Sequence, residues 1–228
     1  MGRSASQFTL TTADTGSRID AVARRFLDVV VSAAGLVLLS PILAAIALLV
    51  KATSAGPVLF VQERVGRGLV PFRLLKFRTM VADAASRGPA ITIGDDPRVT
   101  RVGAFLRKTK LDELPQLVNV LRGDMSLVGP RPEVPKYVGL YGEAERRIFA
   151  VRPGITDPSS LLYRDESAVL ATYPDPERAY REVVLPHKIA VSLAYADSRT
   201  VLSDVGLLVR TALRLVTPGP DAAPGTGT

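Results

Sequence analysis

From Val29 to Val50 the chain runs VVVSAAGLVLLSPILAAIALLV without a charge, between Asp28 and Lys51. As a straight helix such a run would reach roughly 33 Å, against a hydrocarbon core of about 30 Å. The pattern therefore predicts a membrane helix rather than the buried helix of a soluble domain. No small-residue cleavage site follows before Lys51, so the run does not read as a signal peptide. Ser40-Pro41 lies at its middle. Proline removes a backbone donor and crowds the preceding turn, so a kink is expected there, with the serine hydroxyl on a released carbonyl. Arg18, Arg24 and Arg25 stand before the run, and Lys51, Arg64, Arg67, Arg73, Lys76 and Arg78 after it. By the positive-inside rule both flanks look cytoplasmic. A helix bent at Ser40-Pro41 that enters and leaves on one face fits this charge pattern. A proline-kinked spanning helix stays open on the residues alone.

Beyond the run, GPVLFVQERVGRGLVPFRLLKFRTM predicts two short strands around a Gly66–Gly68 turn, ending in the basic cluster Arg73, Lys76 and Arg78. Residues 86–98, SRGPAITIGDDPR, read as a loop, and Arg98 to Arg107 as a short basic helix or extended segment. From Leu111 the apolar positions Leu114, Leu117, Val118 and Leu121 recur at helical spacing. That predicts a helix with Pro115 in its first turn and Gly123 as its stop. VLSDVGLLVRTALRLV, near the carboxyl end, predicts an amphipathic helix, with Arg210 and Arg214 placed for anionic headgroups. Residues 1–17 are small and polar, and the tail TPGPDAAPGTGT is rich in proline, glycine and threonine, so both ends are expected to be flexible. MGRSAS fits a myristoylation pattern that short sequences often match by chance.

Charge and composition narrow the partners. A net charge of +7 favours anions: nucleic acid, anionic lipid or phosphorylated substrates. Aromatic residues make up only 6% and do not interleave with the basic stretches as a stacking surface for nucleic acid would. There is no cysteine, which excludes disulfides, thiolate catalysis and cysteine-ligated zinc. The one histidine, His187, sits in the apolar context LPHKIA and reads as structural. GRGLVP lacks the last glycine of a dinucleotide fingerprint, and no Walker-type loop occurs.

The chemistry concentrates in KTKLDELPQL. Asp112 and Glu113 stand side by side at the start of an apolar helix, with basic residues running up to them. Two acids in a first turn could merely complement the helix dipole. However, GDMSLVGPRPE follows directly, and Pro130 and Pro132 restrict the backbone on both sides of Arg131, a residue suited to bidentate contact with phosphate oxygens. Paired carboxylates, pre-placed cations, no base histidine and a membrane anchor together suggest Mg²⁺-assisted phosphoryl transfer, one carboxylate holding Mg²⁺ while its neighbour attacks phosphorus. Metal on Asp95 and Asp96 is a second enzymatic reading, although GDDPR also suits a turn. A membrane-anchored basic adaptor without catalysis is the rival from another class.

KFRTM, DPRVTRVGAFLRKTKLDELPQLVNVLRGDMSLVGPRPE and RPGIT resemble the bacterial sugar transferases, the monotopic polyprenyl-phosphate phosphoglycosyl transferases. The resemblance covers about residues 20 to 216 and is most specific between 95 and 133. It implies that Asp112 is the nucleophile, attacking the sugar-bearing phosphate of a nucleoside diphosphate sugar. The phosphosugar would then pass to a polyprenyl phosphate. It also implies Glu113 as the Mg²⁺ ligand and Arg107 and Arg131 as phosphate-side arginines, with Lys76 and Arg78 in the same basic wall. Ser40-Pro41 matches the family's helix-breaking pair and favours the dip. One departure stands out: PGITDPSSLLYRDE replaces the PGITG and Trp- and Gln-containing stretch of many members, as in a recognised variant. The expected fold is α+β and predominantly helical, with a re-entrant kinked membrane helix (18–52), interfacial amphipathic helices and a small β-hairpin. The catalytic domain (53–216) would lie on the cytoplasmic face of the inner membrane, and residues 217–228 would be a disordered tail. Membrane lipids are expected partners, nucleic acid is not, and a homodimer is left open.

Overall fold

The structure, a computed structural model, describes residues 12–88 and 91–217. The myristoylation-like pattern and nearly all of the carboxyl tail lie outside the described residues. Helix α1 (Thr12–Leu38) begins inside the stretch expected to be flexible, and α2 (Ser40–Thr53) follows after a single residue, Leu39. The two axes bend by 62° at this break. The cause is the expected one: Pro41 occupies the first turn of α2, and the Ser40 hydroxyl donates to the Val37 carbonyl at 2.8 Å. Among the described residues no single helix is long and apolar enough to cross a membrane, while this bent pair passes by length and composition.

A β-hairpin follows, β1 (Leu59–Val65) and β2 (Pro71–Phe77), antiparallel from Leu59 opposite Phe77 to Val65 opposite Pro71. Gly68 sits in its turn at φ +68°, a left-handed conformation that glycine adopts without strain. Then come α3 (Ala84–Arg87), α4 (Arg101–Thr109), α5 (Gln116–Arg122), β3 (Ser126–Val128) and α6 (Pro135–Val138). The last part holds β4 (Gly154–Thr156), α7 (Pro158–Leu162), α8 (Glu166–Ala171), α9 (Pro176–Ala179), α10 (Leu185–Ser198) and α11 (Val201–Val216). The architecture is α+β and mostly helical. The hairpin, the α4 helix and the carboxyl-terminal helix match the sequence pattern; the parallel pairing of β3 with β4 does not announce itself there. It depends on contact between distant backbones. A Cβ built on Gly154 would lie 2.1 Å from the Gly129 nitrogen, so only glycine allows the approach.

One face of α1 is fastened to the globular part. Arg25 donates to the Val120 and Leu121 carbonyls at 2.7 and 2.9 Å, at the end of α5 where free carbonyls accept cations. The Arg24 guanidinium meets Asp204 of α11 at 2.9 Å. Asp28 is buried and accepts from the Ser126 hydroxyl and the Leu127 amide at 3.0 and 2.8 Å. The other face of the bent pair leaves Val30, Val37, Leu38, Ile42 and Leu48 exposed. Side chains of this kind gathered on one surface mark an interaction site rather than ordinary scatter.

Candidate active site

Thr100 caps α4 by accepting from the Gly103 amide at 2.9 Å. Gly103 lets the helix lie against the strand end: a Cβ there would sit 1.9 Å from the Thr79 carbonyl oxygen. At the far end of α4, Lys110 adopts the left-handed conformation, φ 58° and ψ 14°, and turns the chain. Leu111–Glu113 then form a single 3-10 turn, and α5 starts only at Gln116, with Pro115 at its cap. The one helix expected from Leu111 to Gly123 is therefore two pieces, because Pro115 has no amide N–H to donate and the bonds around it reach only three residues back, from the Leu114 amide to Leu111 and from the Leu117 amide to Leu114. Asp112 and Glu113 lie in the 3-10 turn, not in the first turn of an α-helix. Gly123 does end α5, at φ +93°.

Leu111 and Leu114 flank the two acids and pack with Leu43, Ile46, Ala47 and Val50 of α2, Phe77 of β2 and Leu106 of α4. The same apolar cluster thus holds the acidic turn and the second half of the membrane-type helix. The carboxylates face differently surrounded space. Glu113 Oε1 accepts from Lys76 Nζ at 3.1 Å and from Arg131 Nη2, while its Oε2 accepts from Arg131 Nη1 at 3.0 Å. Burial works against ionisation of Glu113, but the Arg131 and Lys76 charges outweigh it and hold its carboxyl well below the usual range. Asp112 is 6% exposed, and its Oδ1 has no hydrogen-bond partner. Burial pushes its carboxyl up, with Lys76 the strongest opposing charge. Buried polar atoms are nearly always paired, so an orphan here marks a group waiting for a ligand or a reaction.

Of the residues singled out from sequence, the fold gathers Lys76, Asp112, Glu113 and Arg131 in one cluster. Arg107 stands beside it: its Nε donates to Thr79 Oγ1 at 2.9 Å and its Nη1 to Thr92 Oγ1 at 3.0 Å, and its charge bears on Asp112. Arg78 is the exception. β2 ends at Phe77, so the alternation that would set positions 76 and 78 on one face stops between them. The Arg78 side chain is buried at the α2–β1 junction and donates to the Ser54 carbonyl at 2.6 Å. It donates there and not to Glu113, while its Nε and Nη1 are buried without a partner. Asp96 does not gather with Asp95 around a metal; it grips Arg98 through both carboxylate oxygens, as a turn residue. Among the described residues no three His, Cys, Asp or Glu side chains come together to hold a metal. His187 Nδ1 pairs with the Tyr163 hydroxyl at 2.8 Å, in line with a structural role.

Two polar residues were missed from sequence. Gln116, at the start of α5, is 1% exposed with its Nε2 unpaired. Lys110 bears electrostatically on both acids. Its position in the basic run Arg107-Lys108-Lys110 was the available signal.

The site thus holds a buried acidic pair with cations on one member and an unpaired oxygen on the other. The profile of the bacterial sugar transferases matches residues 19–218. The chain belongs to this family and is an enzyme, which sets aside the non-catalytic adaptor. It is similar to the exopolysaccharide production protein PSS of Rhizobium leguminosarum bv. phaseoli, 36% identical over 88% of this chain and 98% of that protein. It is also similar to the UDP-glucose:undecaprenyl-phosphate glucose-1-phosphate transferase of Caulobacter vibrioides, 38% identical over 85% of this chain and 70% of that protein. A putative undecaprenyl-phosphate N-acetylgalactosaminyl 1-phosphate transferase of Bacillus subtilis is 43% identical over 55% of this chain and 76% of its own length.

Proposed function

We propose that this protein transfers a phosphosugar from a nucleoside diphosphate sugar, a UDP-sugar by the names of its relatives, to a polyprenyl phosphate. The observation that carries the reading is the asymmetry of the acidic pair: Glu113 is engaged by Arg131 and Lys76, while Asp112 keeps an unpaired oxygen. In the first step an Asp112 carboxylate oxygen bonds to the sugar-bearing phosphorus. The bond from that phosphorus to the bridging oxygen breaks, and its electron pair leaves with the nucleoside monophosphate. In the second step an oxygen of the polyprenyl phosphate bonds to the same phosphorus and the Asp112 carboxylate is released. No proton need be moved, consistent with a site that lacks a base histidine.

Glu113 suits Mg²⁺, which takes one or two carboxylates together with substrate phosphates. Its Oε2 accepts a single hydrogen bond, from Arg131, so a lone pair stays free there, and the neighbouring Asp112 keeps its Oδ1 unpaired. Bound there, the ion would supply positive charge to the diphosphate. The sugar is a separate matter: relatives of comparable similarity carry glucose in one name and N-acetylgalactosamine in another. The test is release of nucleoside monophosphate from a panel of UDP-sugars with polyprenyl phosphate present. No release from any donor would overturn the reading.

Arg131 is held by Pro130 and Pro132 and forks onto Glu113, so it presents a planar, bidentate guanidinium to the site. A lysine cannot reproduce that fork. Arg131→Lys is expected to cost about 1.5–3 kcal/mol in kcat/KM, the range of hydrogen bonds to charged groups. Unchanged kinetics would leave Arg131 a structural role only.

The bent pair would serve as a re-entrant anchor on the cytoplasmic face of the inner membrane. Its break is internally satisfied by Ser40, so the helix need not cross to hide backbone groups. Both flanks are basic, and such a dip brings the acidic turn to the interface where a lipid phosphate lies. Cysteines introduced at Ser17 and Ser54 should both react with an impermeant thiol reagent from the cytoplasmic side. Replacing Ser40 and Pro41 together by leucine should move position 17 to the opposite face. Labelling of position 17 from outside in the native sequence would show that the segment spans.

A further inference from the structure

Lys110 occupies a place where a helix ordinarily ends in glycine. At φ 58° a side chain is strained, and glycine would relieve that strain. The strain brings the lysine beside the acidic pair. Its Nζ donates to the Arg164 carbonyl at 3.0 Å, whereas the ion pairs to Glu113 belong to Lys76 and Arg131. An ammonium has three donors, and here one of them is spent on a neutral oxygen. Lys110 nonetheless bears on both Asp112 and Glu113.

The partner carbonyl is equally well placed. Arg164 lies in the PGITDPSSLLYRDE stretch, which is cross-linked through the buried Asp157. Asp157 is 0% exposed; its carboxylate accepts from the Ser159 and Ser160 hydroxyls at 2.9 and 2.6 Å and from the Ser160 amide at 2.8 Å. It also accepts from the Ser192 hydroxyl of α10 at 2.5 Å, which ties α7 to the body of the domain. Arg164 in turn donates to the Arg214 carbonyl of α11. The loop therefore offers Lys110 a fixed resting point next to the site.

We propose that Lys110 is a substrate-binding residue for the departing nucleoside monophosphate, held ready on the Arg164 carbonyl until the diphosphate arrives. The inference rests on the transfer reaction proposed above and adds to it the cation that serves its leaving group. When the bond to the bridging oxygen breaks, negative charge gathers on the departing phosphate. Lys76 and Arg131 are paired with Glu113, and Arg107 donates to the Thr79 and Thr92 hydroxyls, whereas Lys110 spends one donor on a neutral carbonyl and has donors to give. An ammonium-to-phosphate hydrogen bond is of the stronger, charge-assisted kind, and it replaces one to a neutral carbonyl. The 157–166 stretch then acts by positioning Lys110.

The experiment compares native protein with Lys110→Met and Lys110→Gly in three readouts: inhibition by the nucleoside monophosphate, kcat/KM for the donor and thermal melting. Both variants should bind the monophosphate about tenfold more weakly and lose a similar factor in kcat/KM, as expected for one charge-assisted contact. Lys110→Gly should melt no lower than the native protein. Native inhibition and kinetics in Lys110→Met would overturn the inference. So would a glycine variant whose weaker inhibition came with a clear loss of thermal stability, since Lys110 would then be a structural cap. A native protein that releases no monophosphate from any donor overturns the transfer reaction, and this inference falls with it.

Discussion

An Asp112→Asn protein should turn over at least about a thousandfold more slowly than the native protein and form no covalent adduct, because it loses its nucleophile. Asparagine has the shape of aspartate without its charge. The site tolerates that change: Asp112 is 6% exposed, its Oδ1 has no partner, and burial already disfavours its ionised form. Removing the charge therefore removes no native ion pair, and melting should stay near native. Intact-mass analysis after incubation with a turned-over donor and no lipid acceptor should show a phosphosugar adduct on the native protein alone. Turnover of the asparagine variant near the native rate would exclude Asp112 as nucleophile.

Glu113→Gln should have the second-largest effect, and unlike the first it should act on both activity and stability. Glu113 compensates Lys76 and Arg131, all three side chains being largely shielded. Glutamine leaves two cations facing each other without a counter-charge, which for shielded pairs costs on the order of a few kcal/mol. Activity should fall even at high Mg²⁺, and chelation should abolish it in the native protein. A donor diphosphate would replace the missing negative charge, so adding donor should raise the melting temperature of Glu113→Gln more than that of the native protein. Full native activity in excess chelator would end the metal assignment. An unchanged melting temperature in the variant would end the electrostatic argument.

Features carried by nearest neighbours in the chain were legible in the sequence. The uncharged run and its Ser40-Pro41 break, the hairpin around Gly68 and the stop at Gly123 each follow from a few adjacent residues. What escaped depends on distant contacts. β3 and β4 are short strands whose pairing needs Gly129 against Gly154. The separation of Arg78 from Lys76 turns on where β2 stops. Glu113 and Arg131 were read as two independent groups, one for metal and one for phosphate, yet the fold makes them partners before any substrate arrives. A residue type and a spacing say that a cation and an acid are available; only the folded chain says that one is already spent on the other.

Leu111 and Leu114 hold the acidic turn against Ile46 and Val50, and this makes α2 a depth gauge. If that helix rests in lipid, the height of Asp112 above the acyl chains is set by the number of residues between the Ser40-Pro41 bend and the leucine contacts, in steps of about 1.5 Å. One alanine inserted after Ile42 would lift the carboxylates by a single such step and also swing them about 100° around the axis. Four inserted residues would nearly restore the azimuth at a height about 6 Å greater. Lipid acceptors of fixed chain length would then meet a site displaced from their phosphate, while a soluble nucleotide sugar would not sense the change. With the proposed anchor and the proposed two-step transfer, vertical registry at the bilayer would then bear on the lipid half-reaction and leave the nucleotide half-reaction unchanged.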